Sequence, residues 1–233
     1  MNPRALVIIP AHDEAESLPR TLDEVRAVAP ECDVLVVDDG STDGTADAAR
    51  AKGVPTLRHP FNLGVGAALQ TGFRWAVERG YAIGVQLDAD GQHDPRYLSA
   101  LIAEVREGRC DVAIGSRYIT ATGYRAPFAR RLGMLLFSGV VRLALGKPIA
   151  DTTSGFRAYG HEVMKVCQND FPRDFPDAPL LIMLARRGFR LLEVPVEMRQ
   201  RTAGTSFYTL SKSLYYPYKN LLASLMALLR RST

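Results

Sequence analysis

The stretch AIGVQLDADGQHDP, residues 82–95, joins an apolar run to a cluster of acids and then to a helix start. The run at 82–87 is short and is bounded by polar residues, which predicts a buried strand. Pro95 suits the first turn of a helix, so we expect a helix over 95–107. The stretch therefore predicts a strand, a polar turn and a helix in that order.

The same order repeats along the first half of the chain. We predict strands at 5–9, 33–37, 54–58, 82–87 and 111–116, and helices at 14–29, 43–52, 65–79 and 95–107. Strands that alternate with helices indicate an α/β fold with a mainly parallel, Rossmann-like sheet flanked by helices. Ligands of such sheets bind beyond the carboxyl ends of the strands, where the polar clusters of this chain fall.

The second half is less regular. We predict a long amphipathic helix at 127–145, a polar loop at 151–160, a short helix near 161–168, a helix at 177–187 and a strand at 190–198. The tail mixes tyrosines and basic residues with leucines, as interfacial helices do. Without a repeat or linker, we expect one domain over 1–206 and a C-terminal amphipathic helix over 207–233, on a membrane surface or at an interface.

The composition is that of a soluble globular protein, with 47% hydrophobic and 23% charged residues among 233. A net charge of +4 favours phosphorylated ligands or an anionic membrane surface and does not indicate nucleic acid. Cys32, Cys110 and Cys167 form no CxxC motif, so we expect free thiols in a reducing compartment. We expect neither a signal peptide nor a membrane-spanning run.

Asp88 and Asp90 follow the predicted strand at 82–87. Side chains two residues apart on a strand point to the same side, so a continued extended chain would bring both carboxylates together. Such a pair repels unless a cation lies between the two groups, and Mg²⁺ or Mn²⁺ suits carboxylates combined with phosphate oxygens. Gln92 or His93 could complete the shell. The alternative is a pair of solvated turn acids beside a helix cap formed by Asp94.

Further candidates lie at the same predicted edge. Asp38 ends the second strand, where its carboxylate could accept from a nucleobase or a ribose hydroxyl. Residues 41–43 could cap the next helix, and Glu14 either caps a helix or contacts the same nucleotide. Arg117 and Arg201 are suited to bind phosphate oxygens, although either could be a solvated basic residue of a turn.

Seven motifs occur in order along the chain: IPAHDE (9–14), VVDDGSTDGT (36–45), NLGVGAALQTGF (62–73), LDADGQHDP (87–95), GSRY (115–118), DTTSGFRAYG (151–160) and VPVEMRQRTAGTS (194–206). Together they resemble an inverting family-2 glycosyltransferase of the GT-A fold. Within that family the chain is similar to the polyprenyl-phosphate sugar synthases, which include the dolichol-phosphate mannosyltransferases. The resemblance implies a catalytic domain over the first 206 residues.

The resemblance implies roles for the matching positions. The nucleotide pocket would be lined by Pro10, Ala11, His12 and Glu14, and the base and ribose would be held by Val36 and Asp38. The metal would be bound by Asp88 and Asp90, with Gln92 as a further ligand. The donor or acceptor phosphates would be contacted by Arg117, Arg201 and Ser206. Mg²⁺ or Mn²⁺ is the implied cofactor. The reaction moves a sugar from a UDP- or GDP-sugar to undecaprenyl or dolichyl phosphate, with inversion.

Two alternatives stay open. The sugar could go to a hydroxyl of a polysaccharide or glycolipid, which requires a general base, whereas an acceptor phosphate is already ionised. Asp177 is the candidate base, although it is equally well explained as the cap of the next helix. A nucleotide-sugar-binding protein without catalysis is the more distant alternative, and the complete D-x-D motif argues against it.

The resemblance also implies a place for the protein. We expect it in the cytoplasm, peripheral at the inner face of the membrane, either by itself or held there by a separate membrane protein. The partners expected are the nucleotide-sugar, the lipid phosphate and the membrane surface, without nucleic acid. Whether the chain forms a homo-oligomer is left open.

Overall fold

The computed structural model describes residues 4–119, 149–172 and 177–199. The predicted helix at 127–145 and the tail at 207–233 lie outside these residues, as do Arg201 and Ser206. Within the described ranges, no helix is both long enough and apolar enough to cross a bilayer.

The elements of the first half are those predicted, with shifted ends. The strands are β1 Ala5–Ala11, β2 Asp33–Asp38, β3 Thr56–Arg58, β4 Ile83–Gln86, β5 Val112–Ser116, β6 Arg157–Gly160 and β7 Leu191–Pro195. The helices are α1 Leu18–Val28, α2 Thr45–Ala51, α3 Val65–Glu78, α4 Leu98–Arg106, α5 His161–Cys167 and α6 Ala178–Arg186, and a 3-10 turn at Pro95–Tyr97 precedes α4.

The seven strands form one sheet in the order β3-β2-β1-β4-β6-β5-β7. Every strand pair is parallel except those of β6, which runs antiparallel between β4 and β5. The first residue of β6, Arg157, is paired with Gln86 on one side and with Ile114 on the other. The start of β6 therefore lies at the carboxyl edge of its neighbours.

The expectation of a loop over the whole of 151–160 was wrong, because β6 occupies its last four residues. The strand is very short, and its sequence Arg-Ala-Tyr-Gly shows no alternation of apolar and polar residues. Arg157 and Tyr159 are both buried, so the polar groups that suggested a loop lie inside the protein. Sequence periodicity gives no signal for a strand of this kind.

The sheet is covered on both faces. In β1, Val7 and Ile9 pack into an apolar layer with α1 and α4, whereas Leu6 and Ile8 pack into the opposite layer with α3, α5 and α6. All seven residues of β1 are buried, as expected for a central parallel strand. The acid-bearing loops after β1, β2 and β4 are therefore attached to a rigid support.

The three cysteines are free, as expected from their spacing. Burial, together with the nearby carboxylate of Glu31, raises the pKa of Cys32 to about 11. Burial likewise raises the pKa of Cys110 to about 11 and that of Cys167 to about 12. The thiols are therefore protonated at neutral pH, when a thiol is a poor nucleophile and a poor metal ligand.

Candidate functional site

The register of the sheet brings the predicted motifs to one edge. Ala11 at the end of β1 is paired with Asp38 at the end of β2. On the other side of β1, Ile8 is paired with Gln86, the last residue of β4. The loops that follow these strands therefore leave the same edge of the sheet, as expected for a ligand site of a parallel sheet.

Backbone-to-side-chain hydrogen bonds join the loop after β1 to the loop after β2. Asp13 N donates to Ser41 Oγ at 3.0 Å, and Thr42 N donates back to Asp13 Oδ1 at 2.8 Å. Glu14 N donates to Thr45 Oγ1 at 2.8 Å. The first two motifs of the sequence therefore form one connected structure rather than two independent loops.

The predicted capping role of residues 41–43 was wrong, because the N-cap of α2 is Gly44 and makes no side-chain capping hydrogen bond; Asp43 instead joins the loop to the helix start. Its carboxylate accepts from Thr45 N at 3.0 Å and from Ala15 N at 2.9 Å. Burial acts to raise the pKa of Asp43, but the hydrogen bonds from Thr45 and Ala15 outweigh it, so the pKa lies below its ordinary value. Asp43 thus acts as a charged clamp between the two loops.

The residues predicted to hold the nucleotide differ in exposure. Pro10 and Ala11 are buried within β1, and Glu14 is almost buried. His12 keeps 26% of its side chain exposed and donates from Nδ1 to the carbonyl of Asp39 at 2.9 Å. Among these four, His12 therefore offers the most exposed polar side chain.

Val36 and Asp38 lie below this edge. Val36 has no exposed surface and packs in the layer next to α1 and α4. Asp38 is fully buried; its Oδ1 accepts from Ser41 N at 3.0 Å, and its Oδ2 is 3.1 Å from Arg58 Nε. The structure thus gives Val36 a packing role and gives Asp38 the role of fixing the turn, while their contact with a nucleotide stays a prediction.

Asp39 has a role that the sequence reasoning missed. Its buried carboxylate accepts from Leu63 N at 3.0 Å and from Gly64 N at 2.7 Å, and it is 2.7 Å from His59 Nδ1. These contacts fasten the loop before α3 to the end of β2. The signal in the sequence was the second of two adjacent acids at the end of a strand.

The two acids of the D-x-D motif lie on a turn and not on the extended strand that was predicted. Leu87 N still donates to Ile8 O at 3.1 Å, but the chain then turns at residues 89–90. Asp90 Oδ1 accepts from Gln92 N at 3.0 Å, which closes this turn. The expected strand alternation beyond residue 87 was therefore wrong, and Asp88, Asp90 and Gln92 lie on one tight turn instead.

Residues 88–92, which we call the acid turn, are anchored from α1. Thr21 is buried and donates from Oγ1 to the carbonyl of Ala89 at 3.1 Å. The side chain of Asp88 keeps 38% of its surface exposed, and Asp90 and Gln92 are half-buried. The turn is thus held from below while its polar side chains reach solvent.

The donor set of the acid turn fits a hard divalent cation. Two carboxylates and one amide oxygen match the preference of Mg²⁺ and Mn²⁺ for oxygen ligands. In the part of the chain that the structure describes, no group of three or more His, Cys, Asp or Glu side chains is arranged to hold a metal. The acid turn therefore fits an ion that completes its shell with phosphate oxygens and water, and it does not form an all-protein cage.

Asp94 is confirmed as a cap. Its Oδ1 accepts from Arg96 N at 3.0 Å at the start of the 3-10 turn. Arg199 Nη2 lies 3.0 Å from the same oxygen. Burial acts to raise the pKa of Asp94, but the hydrogen bonds from Arg96 and the charge of Arg199 outweigh it and lower the pKa. Asp94 is thus engaged in structural contacts.

The last described residues run beside the acid turn. Met198 forms a β-bridge with His93, and Arg199 N donates to Gln92 O at 2.9 Å. Arg201 lies only two positions further along the chain than this contact. The described part of the last motif, residues 194–199, therefore reaches the acid turn.

Arg117 follows β5 at the predicted edge, where its guanidinium forms a bidentate ion pair. Its Nε is 2.7 Å from Asp151 Oδ2, and its Nη2 is 2.8 Å from Asp151 Oδ1 and 2.9 Å from Thr153 Oγ1. Glu193 accepts from the backbone N–H groups of Ala150 and Asp151. Arg117 therefore fastens the 150–153 segment to β5, and its contact with phosphate stays a prediction.

Replacing Arg117 with lysine is expected to destabilise the fold by about 1–2 kcal/mol, because lysine keeps the charge but loses the planar fork that matches Asp151. Arg190→Lys is the matched control, since Arg190 also makes a bidentate pair, with Asp111, but both partners are more exposed. Its cost should stay below about 0.5 kcal/mol. Urea unfolding measures both, and equal costs would contradict the structural role of Arg117.

Asp177 lies at the N-cap position of α6. Its side chain makes no capping hydrogen bond there, so the geometry does not support the capping alternative. The adjacent residues 173–176 are outside the described part of the chain. Its role as a base therefore stays a prediction.

A cavity of about 410 Å³ lies at the opposite edge of the sheet, where the strands begin. Its lining includes Cys32, Asp33, Trp75 and Arg79. None of the seven sequence motifs contributes a residue to the lining of this cavity. The candidate site is therefore the open edge around the acid turn rather than this cavity.

Comparisons with known proteins point to one family. Residues 6–167 match the family profile of Glycosyl transferase family 2. The chain is 38% identical over 213 residues to the undecaprenyl-phosphate mannosyltransferase of Micrococcus luteus, covering 87% of this chain and 86% of that protein. It is 37% identical over 216 residues to the polyprenol monophosphomannose synthase of Mycolicibacterium smegmatis, covering 87% and 80%.

Solved structures support the fold. The glucosyl-3-phosphoglycerate synthase from Mycobacterium tuberculosis, in complex with phosphoglyceric acid, superposes with a TM-score of 0.77 at 18% identity, covering 99% of this chain and 82% of that one. Its complex with Mn²⁺ and UDP-glucose gives a TM-score of 0.74 at 20% identity, covering 99% and 81%. The likeness shows a GT-A fold, as expected from the sequence.

Proposed function

Because the chain belongs to glycosyl transferase family 2, we propose that it transfers a sugar from a nucleotide-sugar to a polyprenyl phosphate, with inversion at the sugar carbon. The observation that carries this proposal is the similarity, over 87% of the chain, to two enzymes named for such acceptors. The acid turn at the carboxyl edge of the sheet gives the reaction a site.

We assign the donor to the edge between the loops after β1 and β2 and the acid turn. The nucleotide would lie against Pro10, Ala11, His12 and Glu14, with Val36 and Asp38 holding its base and ribose. Asp88, Asp90 and Gln92 would hold Mg²⁺ or Mn²⁺. Such an ion, when bound, supplies positive charge next to a diphosphate leaving group.

Transfer of the sugar to an acceptor phosphate has little need of a general base. The bond between the sugar carbon and the donor diphosphate breaks while an acceptor phosphate oxygen bonds to the same carbon from the opposite face. The second pKa of a phosphate monoester is about 6. The nucleophile is therefore already ionised at neutral pH and needs only to be positioned. We assign that positioning, and the stabilisation of the diphosphate, to Arg117, Arg201 and Ser206.

A hydroxyl acceptor would require a different set of residues. A hydroxyl must lose a proton as it attacks, and Asp177 is the residue we assign to that role in this case. Asp177 lies at the N-cap position of α6, where its side chain makes no capping hydrogen bond. The choice between the two acceptors is therefore also a choice about whether Asp177 matters for turnover.

We further propose that the protein works at the cytoplasmic face of the membrane, where a polyprenyl phosphate would present its head group. The catalytic domain would span 1–206, and the amphipathic segment at 207–233 would contact the membrane surface, a separate membrane protein or a second copy of the chain. The mixture of leucines with Lys219, Arg230 and Arg231 supports an interfacial location for this segment.

The test is a donor panel in detergent with Mg²⁺ or Mn²⁺. UDP- and GDP-linked glucose, mannose and N-acetylglucosamine are each offered with undecaprenyl phosphate, and the lipid product is identified by mass spectrometry. Undecaprenol is the matched acceptor, because it has the same chain and lacks only the phosphate. We expect a glycosyl phosphoryl lipid with one donor and no product with undecaprenol.

The result that would overturn the proposal is the absence of any lipid-phosphate product with every donor. Transfer to a sugar or glycolipid hydroxyl in the same assay would then establish the alternative acceptor. In that case Asp177→Asn should abolish turnover, whereas it should leave transfer to a lipid phosphate unchanged.

A further inference from the structure

We propose that His93 is a positioning residue that fixes the carboxylate of Asp88 for the cation of the acid turn. This inference rests on the proposed metal site. It concerns a residue to which the sequence reasoning gave no role beyond that of an alternative ligand. Three observations carry it: the burial of the ring, the direction of its two nitrogens and the close approach of Gly155.

The ring of His93 is fixed in place. The residue is 3% exposed, and its ring stacks on Phe156 with centroids 5.0 Å apart and planes 13° from parallel. Its backbone is held by the bridge to Met198. Because the ring plane and the backbone of His93 are both fixed, the ring can hold the groups that contact its two nitrogens in defined positions.

Both ring nitrogens face a single residue. Asp88 N donates to His93 Nδ1 at 3.0 Å, and His93 Nε2 lies 3.6 Å from Asp88 Oδ2. An N–H group can only donate, so Nδ1 carries no proton and a neutral ring carries its proton on Nε2, on the side of the carboxylate. The ring thus holds the backbone of Asp88 by a hydrogen bond and lies beside its carboxylate.

Gly155 limits Asp88 from another direction. A Cβ added at Gly155 would lie 3.3 Å from Asp88 Oδ2, 3.4 Å from Asp88 Oδ1 and 3.0 Å from Gln86 Nε2. The backbone of the segment before β6 therefore approaches the carboxylate closely. Phe156, the next residue, is the one that stacks on His93, so a single short segment supports both the ring and the acid.

This arrangement goes beyond what core packing requires. A buried apolar residue would fill the same space without polar atoms, and burying a ring with two nitrogens is favourable only when they find partners. Here Nδ1 accepts from the backbone of the first acid of the D-x-D motif, and Nε2 lies 3.6 Å from the carboxylate of the same residue. Groups that orient a metal ligand typically change metal affinity about 10- to 100-fold when they are removed.

The tautomer of His93 tests the geometry in metal-free protein, independently of the proposed function. Long-range ¹⁵N–¹H correlation spectra of ¹⁵N-histidine-labelled protein distinguish a protonated from an unprotonated ring nitrogen. There are four histidines, so His93→Phe identifies the signal by its loss. We expect a neutral ring protonated on Nε2. A proton on Nδ1 would overturn the inference, because Asp88 N would then have no acceptor.

Two variants test the consequence for the cation. His93→Phe keeps a ring that can stack on Phe156 but removes both nitrogens. His93→Asn places an amide oxygen close to the position of Nδ1 and so restores an acceptor for Asp88 N. Mn²⁺ binding is measured by electron paramagnetic resonance with UDP and with GDP. We expect about 10-fold weaker binding for the phenylalanine variant and a smaller loss for the asparagine variant.

The controls separate this inference from the proposed function. Circular dichroism checks that each variant is folded, and Asp90→Asn checks the site itself. Unchanged Mn²⁺ affinity in Asp90→Asn would reject the metal site. If Asp90→Asn weakens Mn²⁺ binding while His93→Phe binds like the wild type, the positioning role alone is rejected. Equal losses in both His93 variants would also reject it, since the acceptor would then not matter.

Discussion

Replacing Asp90 with asparagine is expected to lower kcat by at least about 100-fold, the cost typical of losing one group that stabilises charge in a transition state. Asparagine has the shape of aspartate, and its amide oxygen can still accept from Gln92 N, which is the hydrogen bond that closes the acid turn. The variant therefore removes the negative charge and leaves the turn intact. The loss in rate should come from a weaker hold on the cation beside the leaving diphosphate.

The measurement is the steady-state rate with the donor found in the panel, titrated with Mg²⁺ and with Mn²⁺. The half-saturating metal concentration should rise together with the fall in kcat, and the unfolding midpoint should stay near that of the wild type. Asp47→Asn is the matched control, because Asp47 is an exposed acid on α2 that pairs with Arg50, one helical turn further along. An Asp90→Asn enzyme with wild-type kcat and metal dependence would rule out a metal role for Asp90.

Local pattern explains why most of the sheet could be predicted from the sequence. The apolar runs that became β1, β2, β4 and β5 are each buried on both faces and bounded by polar turns, so composition alone indicates them. The strand β6 could not be predicted in this way, because it exists only through its pairing with β4 and β5. Its partners are distant in the sequence, and no local pattern reports such a pairing.

The sequence could predict which edge of the sheet carries the motif loops, but it could not predict most of the side-chain contacts there. Alternation of strands and helices indicated which loops share an edge, and the structure brings those loops together. The partner of Arg117 is Asp151, 34 residues further along the chain, so its ion pair was not visible in the motif GSRY. Likewise, nothing in the sequence indicated that His93 would face Asp88 rather than solvent.

The acid turn differs from the geometry that the sequence predicted. Alternation along a strand predicted that Asp88 and Asp90 point to the same side, yet β4 ends at Gln86 and both acids lie on the turn that follows. The ends of a short apolar run do not fix the ends of its strand, because the ladder of hydrogen bonds depends on the neighbouring strand. The residue types were informative about chemistry even where the backbone assumption failed.

Replacing Gly40 with alanine is expected to destabilise the fold by about 3 kcal/mol, of which about 1 kcal/mol is backbone strain and about 2 kcal/mol is overpacking. Gly40 has φ +70°, which side chains other than hydrogen disfavour, and it lies between the end of β2 and the loop before α3. An added Cβ would lie 2.6 Å from Phe61 Cα and 2.7 Å from Asn62 N. Those are backbone atoms, which Asp39 holds through its hydrogen bonds to Leu63 N and Gly64 N, so they cannot move aside without breaking those bonds.

Gly44→Ala separates the two contributions, because Gly44 also has a positive φ, +91°, but an added Cβ would meet no atom within 4 Å. It should cost only the strain, about 1 kcal/mol. At about 2–4 °C per kcal/mol for a chain of this size, thermal unfolding should show a fall of about 6–12 °C for Gly40→Ala and about 2–4 °C for Gly44→Ala. Equal shifts of the unfolding temperature would mean that the backbone at Phe61 moves aside without cost and that Asp39 does not hold the loop before α3. A larger shift for Gly40→Ala would instead establish that this loop is fixed against the end of β2.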